Sequence, residues 1–297
     1  FTTMLTGLQP YRHGVRHLFD EPLAAEISHM GTIFGDNGYT TAAFDVVPFL
    51  RWMLDARGFD SFVDTIALES ASQLGDAEIL KHTLGWIRER PATQPFLAFV
   101  RLHGPHWPYH APRDVHDRTV AALGIDHAAI DHSFNAGNYG TSVTIEDDRV
   151  TSVRVDDIEA RRRRIFGPPL EPDVHAHMLL HYDLALSRTA KEITRTVDEL
   201  RAAGILDSTL LIVTADHGES FGGTGYSAYR DHGPRVDDAV MRVPLIVRFP
   251  ASHPHGRPGL RVHQLVRLAD MLPTVLATAG LPVPADLDGT SLLPALD

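Results

Sequence analysis

The stretch LLIVTADHGE, residues 210–219, is the part of this chain around which the rest is organised. Residues Leu210 to Thr214 are apolar or β-branched, which is typical of a strand buried on both faces of a sheet. The run continues into Asp216 and His217, and Gly218 then allows the backbone to turn. In open α/β sheets ligands bind at the carboxyl ends of strands, where a carboxylate beside a neutral imidazole suits a divalent metal. Because a lone Asp-His-Gly is equally typical of a capped turn, the other motifs have to decide between the two interpretations.

The composition excludes several classes of protein. The chain has 297 residues, 43% hydrophobic and 22% charged, which is the balance of a globular domain. Its formal net charge of −11 argues against a nucleic-acid-binding surface. Cysteine is absent, so neither a disulfide nor a thiolate metal site exists within these residues. No apolar run approaches the roughly 18 residues of a membrane span.

Two further apolar runs, Phe96–Leu102 and Pro244–Arg248, predict interior strands of the same sheet. The segment HGPHWPY, residues 103–109, follows the first run and contains His106, whereas His232 precedes the second run. The alternative interpretation of both histidines is structural, in a proline-rich loop and in a turn. If these strands end at the same edge of one sheet, we expect Asp216 and His217 to share one cleft with His106 and His232.

The N-terminal segment carries a more specific motif. Thr6-Gly7-x-x-Pro10-x-x-His13-Gly14 resembles the segment that follows the nucleophile in the sulfatase family, part of the alkaline phosphatase superfamily. The family signature runs Cys (or Ser)-x-Pro-Ser-Arg-x-x-x-x-Thr-Gly, and its first residue is oxidised to formylglycine. On this alignment Phe1 stands at the position of the arginine. The nucleophile is then expected four residues upstream of Phe1, and its identity is unknown from this sequence.

Further blocks of the resemblance follow in family order along the chain. They are a helix at 21–38, a "Gly-Tyr-x-Thr" strand from Tyr39, the His-x-Pro segment, and a long helix, Leu179 to Leu200. Two more blocks complete the resemblance. The first is an "Asp-x-Thr" motif followed by a strand and Asp-His-Gly, and the second is an "Asp-x-x-Pro-Thr" helix start at Asp270. The sequence departs from the family after Phe44, because Val46 and Pro48 stand where sulfatases usually place a lysine and a histidine.

The resemblance implies an α/β fold of the alkaline-phosphatase, sulfatase type, with a mixed, largely parallel sheet flanked by helices. It implies one such domain over 1–297, whose first strand and nucleophile lie upstream. The implied function is metal-dependent hydrolysis of small-molecule sulfate esters, as in arylsulfatases. One divalent cation is expected, calcium by resemblance with manganese, magnesium or zinc as alternatives. A second metal is not expected, because the Asp-x-x-x-His pattern of two-metal relatives is absent around Asp183.

The resemblance also implies roles for six residues. Asp216 and His217 are the expected metal ligands, and His106 and His232 are the expected catalytic residues. The two histidines would stabilise the transferring group and protonate the leaving oxygen, for which an imidazole is suited. The expected substrate-binding residues are His103 and Arg242.

Residues 111–181 fit no core pattern and are interpreted as an inserted cap, or lid, over the site. Within it, Val143–Val155 alternates as a hairpin does. The run Arg161–Arg164 is interpreted as a solvated face rather than an anion site, and the pair His177 and His181 is interpreted as structural rather than metal-binding.

Two alternative functions remain open. One is a phosphodiesterase, phosphonate hydrolase or phosphotransferase with a Thr or Ser nucleophile, acting on a phosphate or phosphonate ester, which Phe1, Val46 and Pro48 favour. The other is a non-catalytic ligand-binding relative, against which the intact Asp216, His217, His106 and His232 argue. Localisation and oligomeric state are not readable from these residues.

Overall fold

The fold alternates short strands with helices, as the resemblance implied. The computed structural model describes residues 1–16, 22–69, 75–107, 109, 113–123, 141–146, 149–155, 172–223, 227–232, 236–256 and 258–296. The helices are α1 Thr2–Thr6, α2 Pro10–His13, α3 Met30–Asp36, α4 Phe49–Met53, α5 Asp76–Glu89, α6 Arg113–Leu123, α7 Pro172–Ala202, α8 Asp238–Met241 and α9 Met271–Thr278. The strands are β1 Thr40–Asp45, β2 Ser61–Val63, β3 Phe96–Arg101, β4 Thr141–Glu146, β5 Arg149–Val155, β6 Leu211–Thr214, β7 Ser220–Gly223, β8 Ser227–Asp231 and β9 Leu245–Arg248.

A parallel sheet with the order β2-β1-β3 forms one part of the core. Side chains alternate between its two faces, as the period of a strand requires. Ala43 and Phe99 pack in a cluster with α1, α4 and α9, whereas Phe44 and Val100 pack in a cluster with α5. Helix α5 is amphipathic, and Ile79 and Leu84 are among its buried residues. Helices therefore cover both faces, and the predicted α/β class is confirmed.

The strands of the Asp-His-Gly block pair separately. Strands β6 and β9 are antiparallel, with Leu211 opposite Arg248 and Thr214 opposite Leu245. Within the described residues this ladder does not join the parallel sheet, so the expectation of one sheet with three interior strands is wrong there. Residues of β3 and β6 are half-buried rather than buried, and Ile246 on β9 is 63% exposed. An edge strand leaves part of its side chains in water, and β9 is such a strand in the described part of the chain.

Two predicted helices differ from the observed ones in length. The helix expected over 21–38 is reduced to Met30–Asp36, since the His29 side chain caps it through Gly31 N–H. The long helix begins at Pro172, seven residues before the predicted start, and runs for 31 residues. Its start lies inside the interval 111–181 assigned to the cap.

The predicted hairpin of the cap is present as β4 and β5, which pair antiparallel from Thr141–Val155 to Glu146–Arg149. The four arginines 161–164 lie outside the described residues, and the division into domain and cap stays a prediction. Among the described helices, none is both long and apolar enough to cross a membrane.

Candidate functional site

Four histidine side chains from three separate loops form a row, which we call the histidine row. His103 and His106 follow β3, His217 follows β6, and His232 follows β8. The ring of His103 stacks on that of His106 with centroids 4.1 Å apart. The His106 and His232 centroids are 4.8 Å apart, and His232 stacks on His217 at 4.2 Å. The structure therefore brings the histidines that the sequence singled out into one cluster.

The loop after β3 is held in place by a carboxylate from α5. Asp76 accepts hydrogen bonds from the backbone N–H of His103, at 2.8 Å, and of Gly104, at 3.1 and 3.2 Å to its two oxygens. The hydroxyl of Thr189 on α7 also donates to Asp76, at 2.6 Å. A Cβ atom on Gly104 would lie 1.9 Å from Thr189 Oγ1, so this position requires glycine. Helices α5 and α7 thereby fix the loop that presents His106.

The turn after β6 places a carboxylate and an imidazole nitrogen face to face. His217 Nδ1 lies 2.9 Å from the Gly218 carbonyl oxygen, which only accepts, so Nδ1 carries a proton. In the neutral ring Nε2 then has its lone pair free, and it lies 3.4 Å from Asp216 Oδ2. A divalent cation between these two donor atoms would satisfy both, because carboxylate oxygen and imidazole nitrogen are its ordinary ligands. Gly218 is needed here, since a Cβ would lie 2.1 Å from the Ala239 carbonyl oxygen.

His232 has a carboxylate partner that the sequence interpretation missed. Its Nδ1 lies 3.1 and 3.2 Å from the two oxygens of Glu219, whose side chain is 6% exposed. Because a carboxylate accepts only, Nδ1 donates and Nε2 is the ring nitrogen that remains for other partners. Glu219 thus orients the ring and stabilises positive charge on it. The sequence feature that could have indicated this pairing is Glu219 itself, the fourth residue of the Asp-His-Gly-Glu run, which places a carboxylate directly after the turn.

His106 is neutral at ordinary pH. Burial, then the charge of His232, lowers the pKa of His106 to about 4. Its Nδ1 donates to the Trp107 carbonyl oxygen at 2.5 Å, so Nε2 carries a lone pair and accepts. Burial, then His106, also holds the pKa of His103 well below its usual range. The structure thus offers His106 as a hydrogen-bond or proton acceptor, and its catalytic role stays a prediction.

A buried ion pair at the ends of β1 and β3 was also missed. Arg101 NH1 donates to Asp45 Oδ1 at 2.7 Å, and the two side chains are 12% and 3% exposed. Burial raises the pKa of Asp45, and the charge of Arg101 opposes that rise. The guanidinium lies 5.1 Å from the centroid of the Phe1 ring.

The structure does not bring every predicted residue into the cluster. Arg242 is exposed after α8, and its role as a substrate-binding residue stays a prediction. His181 is 3% exposed and its Nδ1 lies 3.3 Å from the Tyr109 carbonyl oxygen, which agrees with a structural histidine. The side chain of His177 lies outside the described residues. Within the described residues, no group of three or more His, Asp or Glu side chains is arranged to hold a metal. Asp216 and His217 therefore fit a cation as part of a ligand set.

Curated proteins that carry the name sulfatase match parts of this chain. Bovine (Bos taurus) arylsulfatase K is 25% identical over 227 residues, which cover 71% of this chain and 37% of that protein. The N-acetylglucosamine-6-O-sulfatase of Bacteroides thetaiotaomicron is 33% identical over 139 residues, or 47% of this chain and 24% of that protein. The matched residues thus span 37% and 24% of the length of these two curated relatives.

Solved structures share the fold at low identity. The phosphonate monoester hydrolase of Agrobacterium radiobacter superposes with a TM-score of 0.71 and 19% identity, over 99% of this chain and 66% of that one. A protein solved in complex with its substrate D-glucosamine-2-N,6-O-disulfate superposes with a TM-score of 0.68 and 17% identity, over 99% and 69%. The sulfatase family model matches residues 1–281 of the 297. The chain therefore belongs to the sulfatase family.

Proposed function

We propose that the protein to which this chain belongs hydrolyses sulfate esters with one divalent metal ion, and that this chain carries most of the catalytic site. The observation that carries the proposal is the histidine row. It has Asp216 at one end and Glu219 behind His232, and it is assembled at the ends of strands that are far apart in sequence. Asp216 Oδ2 and His217 Nε2 lie 3.4 Å apart, a spacing at which both atoms can bind one cation.

The residues of the row support a division of labour. Asp216 and His217 would hold the cation, which when bound polarises the ester oxygens and activates the nucleophile. His232, with its charge stabilised by Glu219, would protonate the leaving oxygen. His106 would accept a hydrogen bond or proton at Nε2, with His103 stacked behind it. The cation is calcium by resemblance, and the nucleophile would come from a residue that precedes Phe1.

A second candidate is hydrolysis of a phosphonate or phosphate ester by a Thr or Ser nucleophile. Three positions favour it, since Phe1, Val46 and Pro48 are apolar where the resemblance implies basic residues. Val46 and Pro48 are buried, so neither position contributes charge to the site. A sulfate monoester, a phosphate diester and a phosphonate monoester each carry one negative charge, so these three positions bear on the type of nucleophile and not on the charge of the substrate.

The test compares ester classes on the full-length protein. The kcat/KM for an aryl sulfate, an aryl phosphate diester and an aryl phosphonate would be measured with added calcium, manganese, magnesium or zinc, and after a chelator. A metal-dependent preference for the sulfate supports the proposal, and a preference for a phosphorus ester supports the second candidate. Turnover no higher than a metal-only blank for all three would contradict both and indicate a non-catalytic relative. Asp216→Asn is the matched variant, because it keeps the shape of the side chain and removes the ligand charge.

A further inference from the structure

Arg101 stands at the edge of the sheet where the proposed site lies. Asp45 and Arg101 are the last residues of the parallel strands β1 and β3, and they lie opposite each other in register. Both side chains therefore project to the same face, together with Ala43 and Phe99. His103 and His106 follow two and five residues after Arg101, so its guanidinium and the histidine row belong to one edge.

The ion pair with Asp45 uses little of the capacity of the guanidinium to donate hydrogen bonds. An arginine has five N–H donors, and within the described residues Arg101 uses one of them, on Asp45 Oδ1. Asp45 in turn has other donors, since the backbone N–H of Leu50 and of Val47 lie 3.0 and 3.4 Å from its oxygens. The Asp45 carboxylate thus orients the guanidinium of Arg101 but engages only one of its N–H groups.

A purely structural arginine in the same fold looks different. Arg51 donates from Nε and NH2 to the two oxygens of Asp64, at 2.8 and 3.2 Å, and from NH2 to the Phe62 carbonyl oxygen at 3.0 Å. Such a forked arrangement uses the geometry of the guanidinium to hold a turn together. Arg101 makes no comparable set of contacts in the described part of the chain, and a buried ion pair alone is weak evidence of a stabilising role.

The positive charge of Arg101 reaches the site. After burial, it is one of the causes of the lowered pKa of His103 and of His106, so the guanidinium lies near these two rings. The ring of Phe1 and the ring of Phe49 each lie 5.1 Å from the guanidinium carbon, and aromatic faces leave its N–H edges available.

We propose that Arg101 binds the tetrahedral oxyanion of the substrate, the sulfuryl or phosphoryl group, through the N–H groups that Asp45 does not engage. A preorganised guanidinium in a water-poor site binds two oxygens of such a group side by side and stabilises the charge that develops on them. Arg101 thereby supplies positive charge in a site where Phe1 and Val46 supply none. This inference rests on the proposed function, because it names the group that holds the transferred part of the ester.

The test measures oxyanion binding apart from turnover. On the full-length, metal-loaded protein, binding of inorganic sulfate and of inorganic phosphate would be measured by calorimetry, and turnover with the preferred aryl ester. We expect Arg101→Gln to weaken the binding of the preferred anion at least about tenfold and to lower kcat/KM about 100- to 1,000-fold. Arg101→Lys keeps the charge without the fork and should recover part of both. The control is Arg51→Gln, which breaks another buried Arg–Asp ion pair, with Asp64, and should leave anion binding within about twofold.

The outcomes separate this inference from the proposed function. If the wild-type protein turns over an ester and Arg101→Gln matches it in anion binding and kcat/KM, the role of Arg101 is refuted and the function stands. If no ester is turned over but the wild type binds sulfate or phosphate through Arg101, the function fails and the anion site stands. If Arg101→Gln does not fold, Arg101→Lys decides. Wild-type anion affinity and kcat/KM in that variant would refute the need for a guanidinium fork, and a loss in both supports it.

Discussion

His29 is expected to make the stability of this protein fall between pH 6.5 and pH 4. Its side chain is fully buried, and its Nδ1 accepts the Gly31 N–H that caps α3, at 3.2 Å. Burial, assisted by the charge of Arg57, lowers the pKa of His29 to about 4. Protonation would both charge a buried ring and put a proton on the atom that accepts the capping hydrogen bond.

The sign and the size of the effect follow from proton linkage. With a pKa of about 6.5 in the unfolded chain and about 4 in the folded protein, the unfolded state binds more protons between these values. The contribution of His29 to stability is therefore fully present above pH 6.5 and is lost progressively as the pH falls. At pH 4.5 the loss of stability relative to pH 7.5 is about 2–3 kcal/mol, from the difference in proton binding between the unfolded and the folded state.

The assay is urea unfolding of the full-length protein at pH 7.5 and 4.5, in the wild type and in His29→Asn. Asparagine keeps a capping oxygen for the Gly31 N–H and does not titrate. We expect the variant to lose about 2–3 kcal/mol less than the wild type over this pH range. As a control, His263→Asn at an exposed histidine should follow the wild type, because its ring is in water in both states. An identical pH dependence in the wild type and His29→Asn would refute the reasoning.

Three further predictions concern the site in the full-length protein. Asp216→Ala should abolish metal-dependent turnover and lower the bound metal measured by atomic absorption, and wild-type metal content would show that Asp216 is not a ligand. His232→Ala should lower kcat about 100-fold or more with little change in KM, since a proton donor acts in the transition state, and a change confined to KM would assign it to binding. Gly104→Ala should lower the free energy of unfolding by about 1–3 kcal/mol and reduce kcat, because its methyl group meets Thr189 Oγ1. Adding Thr189→Ala to that variant should restore part of both quantities, and a thermal melt with no recovery would contradict the clash.

Features that depend on a local pattern of residues could be predicted before the structure was known. The apolar runs predicted β3, β6 and β9 to within one residue at each end, because a strand is recognised from a few consecutive side chains. The alternation in 143–155 likewise predicted the hairpin of β4 and β5. The order of the motifs was enough to indicate the family and to single out His106, Asp216, His217 and His232.

Features that depend on contacts between distant residues could not be predicted in this way. Helix α3 starts at Met30 rather than near residue 21, although the apolar spacing continues upstream, because the buried His29 caps it there. Whether β6 joins the parallel sheet depends on its hydrogen bonds to other strands. The residue pattern of a single strand does not predict which strand it pairs with.

The same holds for the chemistry of the site. The pairing of Glu219 with His232 joins residues 13 apart across a turn, and the pairing of Arg101 with Asp45 joins residues 56 apart through the register of two strands. The proton acceptor at His106 is set by one carbonyl oxygen and by burial. Residue types and their spacing name the groups that can do chemistry, but protonation and hydrogen-bond partners are fixed only when the folded chain removes water and brings the partners together.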